Sequence, residues 1–192
     1  MGSNKDIVGR IAIVSCGPTG RLYDPSWRGV RYDIIIGCRS VAARVELDYW
    51  CIADWKPLAE IEPLGSPAVV VRSSVLEKVG RHAPWATSRV DAYPRVEITD
   101  GSAPGVPEGV APWWTWSGTM ALGMAWRLRA RQVDLYGMDL GGIMDSDGRE
   151  DAPNRTEHRW AWEKRTVEAL IEALRARGAV VEFASDRRAG TA

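Results

Sequence analysis

Short runs of apolar residues recur along the chain, and each run ends in small or polar residues. Six runs predict strands, at residues 10–15, 33–37, 49–53, 68–71, 133–136 and 179–183. The apolar residues in these runs are mostly continuous rather than alternating with polar ones. Continuous runs are typical of strands that are buried on both faces of a parallel sheet.

Two other segments carry apolar side chains at helical spacing. The first follows Gly118, and its apolar face is formed by Ala121, Met124, Ala125 and Leu128. The second is predicted to begin near Thr156 or His158 and to be capped by Gly178, a residue type favoured just after a helix. Its apolar face is formed by Trp160, Val167, Leu170, Ile171 and Leu174.

Strands that alternate with helices predict an α/β fold. We expect a single Rossmann-like domain over residues 1–192, with a mainly parallel sheet and helices on both faces. Residues 1–8 are expected to form a flexible tail. Residues 101–112 and 141–154, which are rich in Gly, Pro or acidic side chains, are predicted to be surface loops.

Composition narrows the classes of function. The 25 basic and 25 acidic side chains balance, which argues against a role driven by charge at nucleic acids or membrane surfaces. Apolar runs are far shorter than the roughly 20 residues that span a bilayer, so we expect a cytoplasmic protein with no membrane segment. Three cysteines without paired spacing predict neither a disulfide scaffold nor a zinc site. Ten tryptophans against one phenylalanine favour a cleft lined by rings that keep one polar edge.

Ligands of open parallel sheets bind beyond the carboxyl ends of the strands, near the point where strand order reverses. The residues that follow the predicted strands are Gly17, Pro18, Thr19, Cys38, Arg39, Asp54, Ser73 and Asp139. The backbone amides of residues 17–20 would hold a phosphate, or this segment is an ordinary turn at the end of a strand. Asp139 would bind a sugar hydroxyl, or it opens a turn.

Two more positions carry candidate chemistry. Ser117 is predicted to cap the first helix, and the Gly118 that follows would let the helix N-terminus meet an anionic ligand; simple capping is the alternative. His158 stands near the start of the second helix, where it would act as a general base, or pair on the surface with Glu157 or Glu163. The other histidine, His82, is predicted to lie in a loop.

The order of these signals resembles that of known enzymes. The chain resembles the bacterial lipooligosaccharide sialyltransferases in the order of six short motifs. They are a Gly-Pro-Thr turn, a strand ending at Cys38-Arg39, another ending at Asp54, Trp116-Ser117-Gly118 opening a helix, Gly137-Met138-Asp139 after a strand, and His158 before the last helix. The same frame resembles the archaeal hydroxymethyl-dihydropterin pyrophosphokinases and their flagellin-glycosylation relatives. The resemblance spans roughly residues 10 to 184 and rests on short motifs.

The resemblance implies a nucleotide-activated sugar donor as substrate, with no metal and no tightly bound cofactor. The positions that it assigns to the donor are Gly17, Pro18, Thr19, Ser117, Gly118, Gly137 and Asp139. It implies that His158 takes the proton from the acceptor hydroxyl. The acceptor is left open among a glycan, a small molecule and a modified nucleic acid, and a homo-oligomer is compatible with the sequence.

The chain departs from the sialyltransferase pattern at three places where that family carries Asn. Here the corresponding residues are Cys16, Cys38 or Arg39, and Asp54. The family's asparagines contact the cytidine phosphate donor, and a carboxylate at Asp54 would repel phosphate. The base and sugar of the donor are therefore not fixed by the resemblance.

Three functions follow, and the first is favoured. It is a metal-independent glycosyltransferase with His158 as general base. The second is a Mg²⁺-dependent pyrophosphokinase or nucleotidyl transferase, whose ligands would come from Asp54, Asp139, Asp145, Asp147, Glu150 and Asp151. The third is a non-catalytic nucleotide-binding subunit, suggested by the replaced asparagines.

Overall fold

The predicted sheet is present, and all of its strands are parallel. The computed structural model describes residues 9–98, 111–139 and 157–184. Its strands are β1 (Arg10–Val14), β2 (Ile34–Cys38), β3 (Tyr49–Cys51), β4 (Ala68–Arg72), β5 (Arg95–Ile98), β6 (Gln132–Tyr136) and β7 (Val180–Phe183). They pair in the order β5-β4-β3-β2-β1-β6-β7.

Helices cover both faces of the sheet. They are α1 (Trp55–Glu60), α2 (Ser73–His82), α3 (Thr87–Asp91), α4 (Ser117–Arg127) and α5 (Glu157–Ala176). Successive side chains of a strand point to opposite faces. Accordingly, Ile11 and Ile13 of β1 join a core cluster with α4 and α5, whereas Ala12 and Val14 join a second cluster with α1, α2 and α3. The predicted Rossmann-like α/β fold is confirmed.

The six predicted strands and two predicted helices are all found, with ends shifted by a few residues at most. Strand β5 and helices α1 to α3 were not predicted. In β5 the exposed Arg95 and Glu97 alternate with the more buried Val96 and Ile98. This strand lies at the sheet edge, so the search for continuous apolar runs, which detects strands buried on both faces, misses it. Gly178, with φ +87°, follows the end of α5 as predicted.

Strand order reverses at β1. The chain places β2 to β5 on one side of β1 and then returns to place β6 and β7 on the other side. Chain direction is shared by all the strands, so the segments that leave β1 and β6 meet at the same edge. This carboxyl edge, between β1 and β6, is where open α/β sheets bind their ligands.

The structure also bears on the three features that composition addressed: disulfide bonds, metal sites and membrane-spanning segments. All three cysteines are free thiols. Within residues 9–98, 111–139 and 157–184, no group of three or more His, Cys, Asp or Glu side chains is placed to hold a metal ion. None of the described helices has the length and apolar character needed to cross a bilayer.

Candidate functional site

Hydrogen bonds around Thr19 tie the exits of β1 and β6 together. The Thr19 N–H donates to Asp139 Oδ2 at 2.8 Å, and the Thr19 hydroxyl donates to Asp139 Oδ1 at 2.5 Å. The Gly137 N–H in turn donates to Thr19 Oγ1 at 2.8 Å. Backbone pairing also continues past the strand ends, because the Gly17 N–H donates to Gly137 O at 2.8 Å. These four residues, all selected from the sequence, lie together at the switch point.

Two glycines make this close approach of the chains feasible. Gly137 has φ +72°, a left-handed conformation that glycine adopts without strain. A Cβ atom on Gly17 would lie 2.5 Å from Gly137 O and would also overlap Asp139 Oδ2. Any side chain at Gly17 would therefore push the two strand exits apart.

The amides of residues 17–20 are engaged within the protein. Gly17 and Thr19 donate to the β6 exit, as described above, and Gly20 donates to Gly17 O at 2.9 Å. Pro18 has no N–H to offer. The expectation that this turn holds a phosphate through free amides is therefore wrong. The turn instead presents a rigid, internally bonded surface to the carboxyl edge.

The first turn of α4 meets three other strand exits. Ser117 Oγ accepts the Ala53 N–H at 3.2 Å after β3, and Ser117 O accepts the Cys38 thiol at 3.3 Å at the end of β2. Toward β6, a Cβ atom on Gly118 would lie only 3.0 Å from Met138 Cε. No acidic side chain occupies this first turn. The partial positive charge of the helix N-terminus thus lies at the carboxyl edge, where it favours an anion.

The cap of α4 is not the one predicted. Trp116 occupies the N-cap position, and Ser117 is the first helical residue. The Trp116 N–H donates to Thr119 Oγ1 at 3.2 Å, and the Thr119 hydroxyl donates to Trp116 O at 2.9 Å. Because the Thr119 side chain and the Trp116 backbone close this helix start, the Ser117 side chain is free to receive the amide that follows β3. The prediction of Ser117 as cap is therefore wrong, while its place at the helix start is correct.

Arg39 follows β2 in a strained conformation. Its φ is +47°, in the left-handed region that few non-glycine residues adopt. The Arg39 carbonyl accepts the buried Trp50 Nε1–H at 2.8 Å, which helps to hold this geometry. Such strain costs about 1–3 kcal/mol and occurs often at ligand sites. Arg39 supplies a cationic guanidinium after β2. The sequence predicted that Arg39 follows this strand, but it did not predict the left-handed backbone conformation.

The cysteines of the site are buried at the strand exits. Cys38 and Cys51 pair in register on β2 and β3, and both are almost inaccessible to solvent. Burial raises the pKa of the Cys38 and Cys51 thiols well above the usual range. Cys16, where the resembled family has Asn, places its sulfur 3.4 Å from Cys38 O and 3.4 Å from Ser40 Oγ. Cys38 and Cys51 therefore stay protonated and are poor nucleophiles, and they pack the floor of the edge.

Asp54 lies at the exit of β3 with an exposed side chain, immediately before α1, and its carboxylate makes no capping hydrogen bond. Sheet order puts β2 and β1 between β3 and β6, so three strand spacings, about 14 Å, separate the strand ends that precede Asp54 and Asp139. Oxygens on one Mg²⁺ lie about 4 Å apart or less. The two carboxylates are therefore poorly placed to share a metal ion. Asp145, Asp147, Glu150, Asp151 and the side chain of Glu157 lie outside the described residues.

His158 is the second residue of α5, and its side chain is exposed. One helical turn later, Trp162 meets Trp116 edge-on with ring centroids 5.8 Å apart. This contact joins the start of α5 to the N-cap of α4, so His158 lies on the carboxyl side of the sheet. His82 ends α2 on the opposite face, where its ring lies 5.1 Å from that of Trp55. The loop predicted for His82 is therefore a helix end.

The tryptophans do not line one continuous cleft. Trp50 and Trp113 are buried in the two core clusters, and Trp55 packs partly against the cluster that includes α1. Trp116 and Trp162 form the pair between α4 and α5. The cleft hypothesis is thus wrong for Trp50 and Trp113, whereas the exposed ring of Trp162 lies beside Trp116 near His158.

Sequence reasoning missed a buried polar network beside the β6 exit. The Tyr32 hydroxyl donates to Asp134 Oδ2 at 2.5 Å and lies 2.6 Å from the Tyr136 hydroxyl. All three residues are at most 2% exposed. Burial raises the pKa of Tyr32 and of Tyr136. The available signal was Asp134 itself, a lone carboxylate within an otherwise apolar run.

No family model matches this chain, and no curated protein matches it either.

Proposed function

We propose that the chain is a nucleotide-dependent transferase of the glycosyltransferase type, which binds its donor at the carboxyl edge between β1 and β6. The observation that carries the proposal is the position of α4. Its first turn contacts the exits of β2 and β3 and abuts that of β6, with no acidic side chain among its first residues. A helix N-terminus placed at a switch point suits the phosphate of an activated donor.

Each group at this edge has a role in the proposal. The α4 N-terminus and the Arg39 guanidinium would stabilise the donor phosphate, which carries more negative charge as the sugar leaves. The surface of the Gly17 turn would lie against the nucleotide. The exposed ring of Trp162, 44% accessible, offers a face for a base or sugar close to His158.

The proposed reaction moves one proton and one glycosyl group. His158 takes the proton of the acceptor hydroxyl, whose oxygen forms a bond to the anomeric carbon of the donor. The bond between that carbon and the phosphate oxygen breaks, and the nucleotide leaves with the electron pair. Neither step needs an oxidant or reductant, and the residues named above supply the base and the positive charge.

Activity with histidine variants tests the assignment of the base. Loss of a general base typically lowers turnover by about 10²- to 10⁴-fold, so His158→Ala should lower sugar transfer or donor hydrolysis by at least that lower figure. His82→Ala is the matched control, because it removes the chain's other histidine on the opposite face. Equal activity of the two variants would contradict the role of His158.

A thermal-shift screen against CMP, UDP, GDP and ATP, with and without Mg²⁺, tests the donor site. A nucleotide at 100 times its Kd would stabilise the protein by about 2.7 kcal/mol. Stabilisation without Mg²⁺ supports the proposal. Stabilisation that requires Mg²⁺ would favour the pyrophosphokinase type, and no stabilisation by any nucleotide would refute both.

A non-catalytic nucleotide-binding subunit is the second candidate. The observation that favours it is the commitment of the Asp139 carboxylate and the residue 17–20 amides to bonds within the protein. This candidate predicts nucleotide binding that is unchanged in His158→Ala and no turnover in the wild type with any activated sugar. Turnover above background would exclude it.

A further inference from the structure

A cavity of about 580 Å³ lies at the amino edge of the sheet, at the end opposite the candidate donor site. It lies where α4 and α5 end and where β6 and β7 begin. Its lining includes Trp126, Arg129, Arg131, Leu174 and Arg177, and no acidic side chain. The volume falls within the range of roughly 300–1,000 Å³ that small-molecule sites occupy.

Arg129 is held in a backbone conformation that arginine rarely adopts. α4 and α5 end in the same motif, with the left-handed position taken by Arg129 at φ +53° in one and by Gly178 at φ +87° in the other. In each motif two backbone bonds close the helix: Ala130 N–H to Ala125 O at 3.1 Å and Arg129 N–H to Trp126 O at 3.1 Å for α4, with the same pattern after α5. Glycine is the favoured residue at this position. The backbone alone would favour glycine here, so Arg129 takes this position at a local conformational cost.

Arg177 is fixed in place at the cavity wall. Its guanidinium carbon lies 3.3 Å from the centroid of the Trp126 ring, and its Nη1 lies 3.4 Å from Trp126 O. A guanidinium stacked on an aromatic ring keeps its remaining N–H groups oriented, which suits bidentate contact with phosphate oxygens.

The cavity keeps a net positive charge. Arg129, Arg131 and Arg177 form no ion pair within the described residues. The C-termini of α4 and α5 each contribute only about half a negative charge, which three full positive charges exceed. Attraction to the helix ends therefore accounts for part of this charge and leaves the remainder available to a ligand.

We propose that this amino-edge cavity binds a small phosphorylated anion through Arg129, Arg131 and Arg177. The site is independent of the proposed donor site, because the sheet separates the two edges. Three guanidiniums without a carboxylate match a diphosphate-bearing molecule better than a neutral one.

Calorimetric titration of the full chain with inorganic pyrophosphate at low salt tests the proposal. The wild type should bind pyrophosphate. Arg129→Gly and Arg177→Gln should each raise the Kd for pyrophosphate by about tenfold or more, as expected for loss of a charged hydrogen bond. Arg81→Gln is the matched control, since Arg81 is an exposed arginine near the end of another helix, α2, and does not line the cavity. It should leave the Kd unchanged.

Arg129→Gly separates a ligand role from a structural one. Glycine fits the left-handed position, so the midpoint of thermal unfolding should stay the same or rise while pyrophosphate binding falls. No heat of binding by the wild type at millimolar pyrophosphate would overturn the proposal. So would wild-type affinity in Arg129→Gly and Arg177→Gln, or an equal loss in Arg81→Gln.

Discussion

Removal of one hydroxyl from Tyr32 should destabilise the protein far more than removal of the same group from Tyr136. Tyr32 donates its single proton to Asp134 Oδ2 at 2.5 Å, so the proton in the 2.6 Å contact between the two phenols belongs to Tyr136. The network is therefore a chain that runs from Tyr136 through Tyr32 to the carboxylate. Tyr32 is its middle member, and Tyr136 is its end.

The costs of the two substitutions follow from this direction. Tyr32→Phe removes a hydrogen bond to a charged group, which contributes about 1.5–3 kcal/mol, and leaves the buried Tyr136 hydroxyl without an acceptor, which costs about 1–3 kcal/mol more. We expect a total loss of about 3–5 kcal/mol. Tyr136→Phe removes one neutral bond and leaves no unsatisfied donor, so about 1 kcal/mol is expected. Both variants keep the ring, and both sites are at most 2% exposed.

Urea unfolding followed by circular dichroism measures both values, with the slope of free energy against urea as the check that the unfolded states are comparable. A stability loss of 3–5 kcal/mol is a large share of the roughly 5–15 kcal/mol typical of a domain, so the difference between the variants is easily resolved. An equal cost for both, or a larger cost for Tyr136→Phe, would refute the direction of the chain.

Two further predictions concern pH and the switch point. Burial raises the pKa of Tyr23 to about 12 and also raises the pKa values of Tyr32 and Tyr136. Above about pH 10 these tyrosines therefore lose their protons in the unfolded chain before they do so in the folded one. The free energy of unfolding should fall as pH rises, by about 1.4 kcal/mol per pH unit for each tyrosine. Urea midpoints that stay constant from pH 9.5 to 11.5 would contradict this. Thr19→Val removes the hydroxyl that joins Asp139 to Gly137 and should cost about 1–2 kcal/mol, discounted for partial exposure, whereas Thr19→Ser should cost a few tenths. Equal urea midpoints for the two variants would show that water replaces these bonds.

The candidate site was partly visible in the sequence. Gly17, Thr19, Gly137 and Asp139 were selected because each follows a strand, and the parallel sheet brings them together. Their hydrogen bonds were not foreseeable, because they join residues about 120 positions apart in the chain. The same distance explains why free amides were expected in this turn: the partners of the Gly17 and Thr19 amides come from the distant β6 exit.

The hydrophobic pattern alone determined the class of fold, since continuous apolar runs between amphipathic helices bury themselves well only in a sheet covered on both faces. Tertiary structure alone decided how the polar groups pair. Asp134 is a lone carboxylate in the sequence, and the fold brings the buried Tyr32 hydroxyl to it from another element. Likewise, Arg129 and Arg177 are distant in sequence, and the parallel end points of α4 and α5 place them around one cavity. The local sequence pattern indicates which face of a helix or strand is apolar. Which charged groups meet, and which donor bonds to which acceptor, depends on distances between segments that only the fold sets.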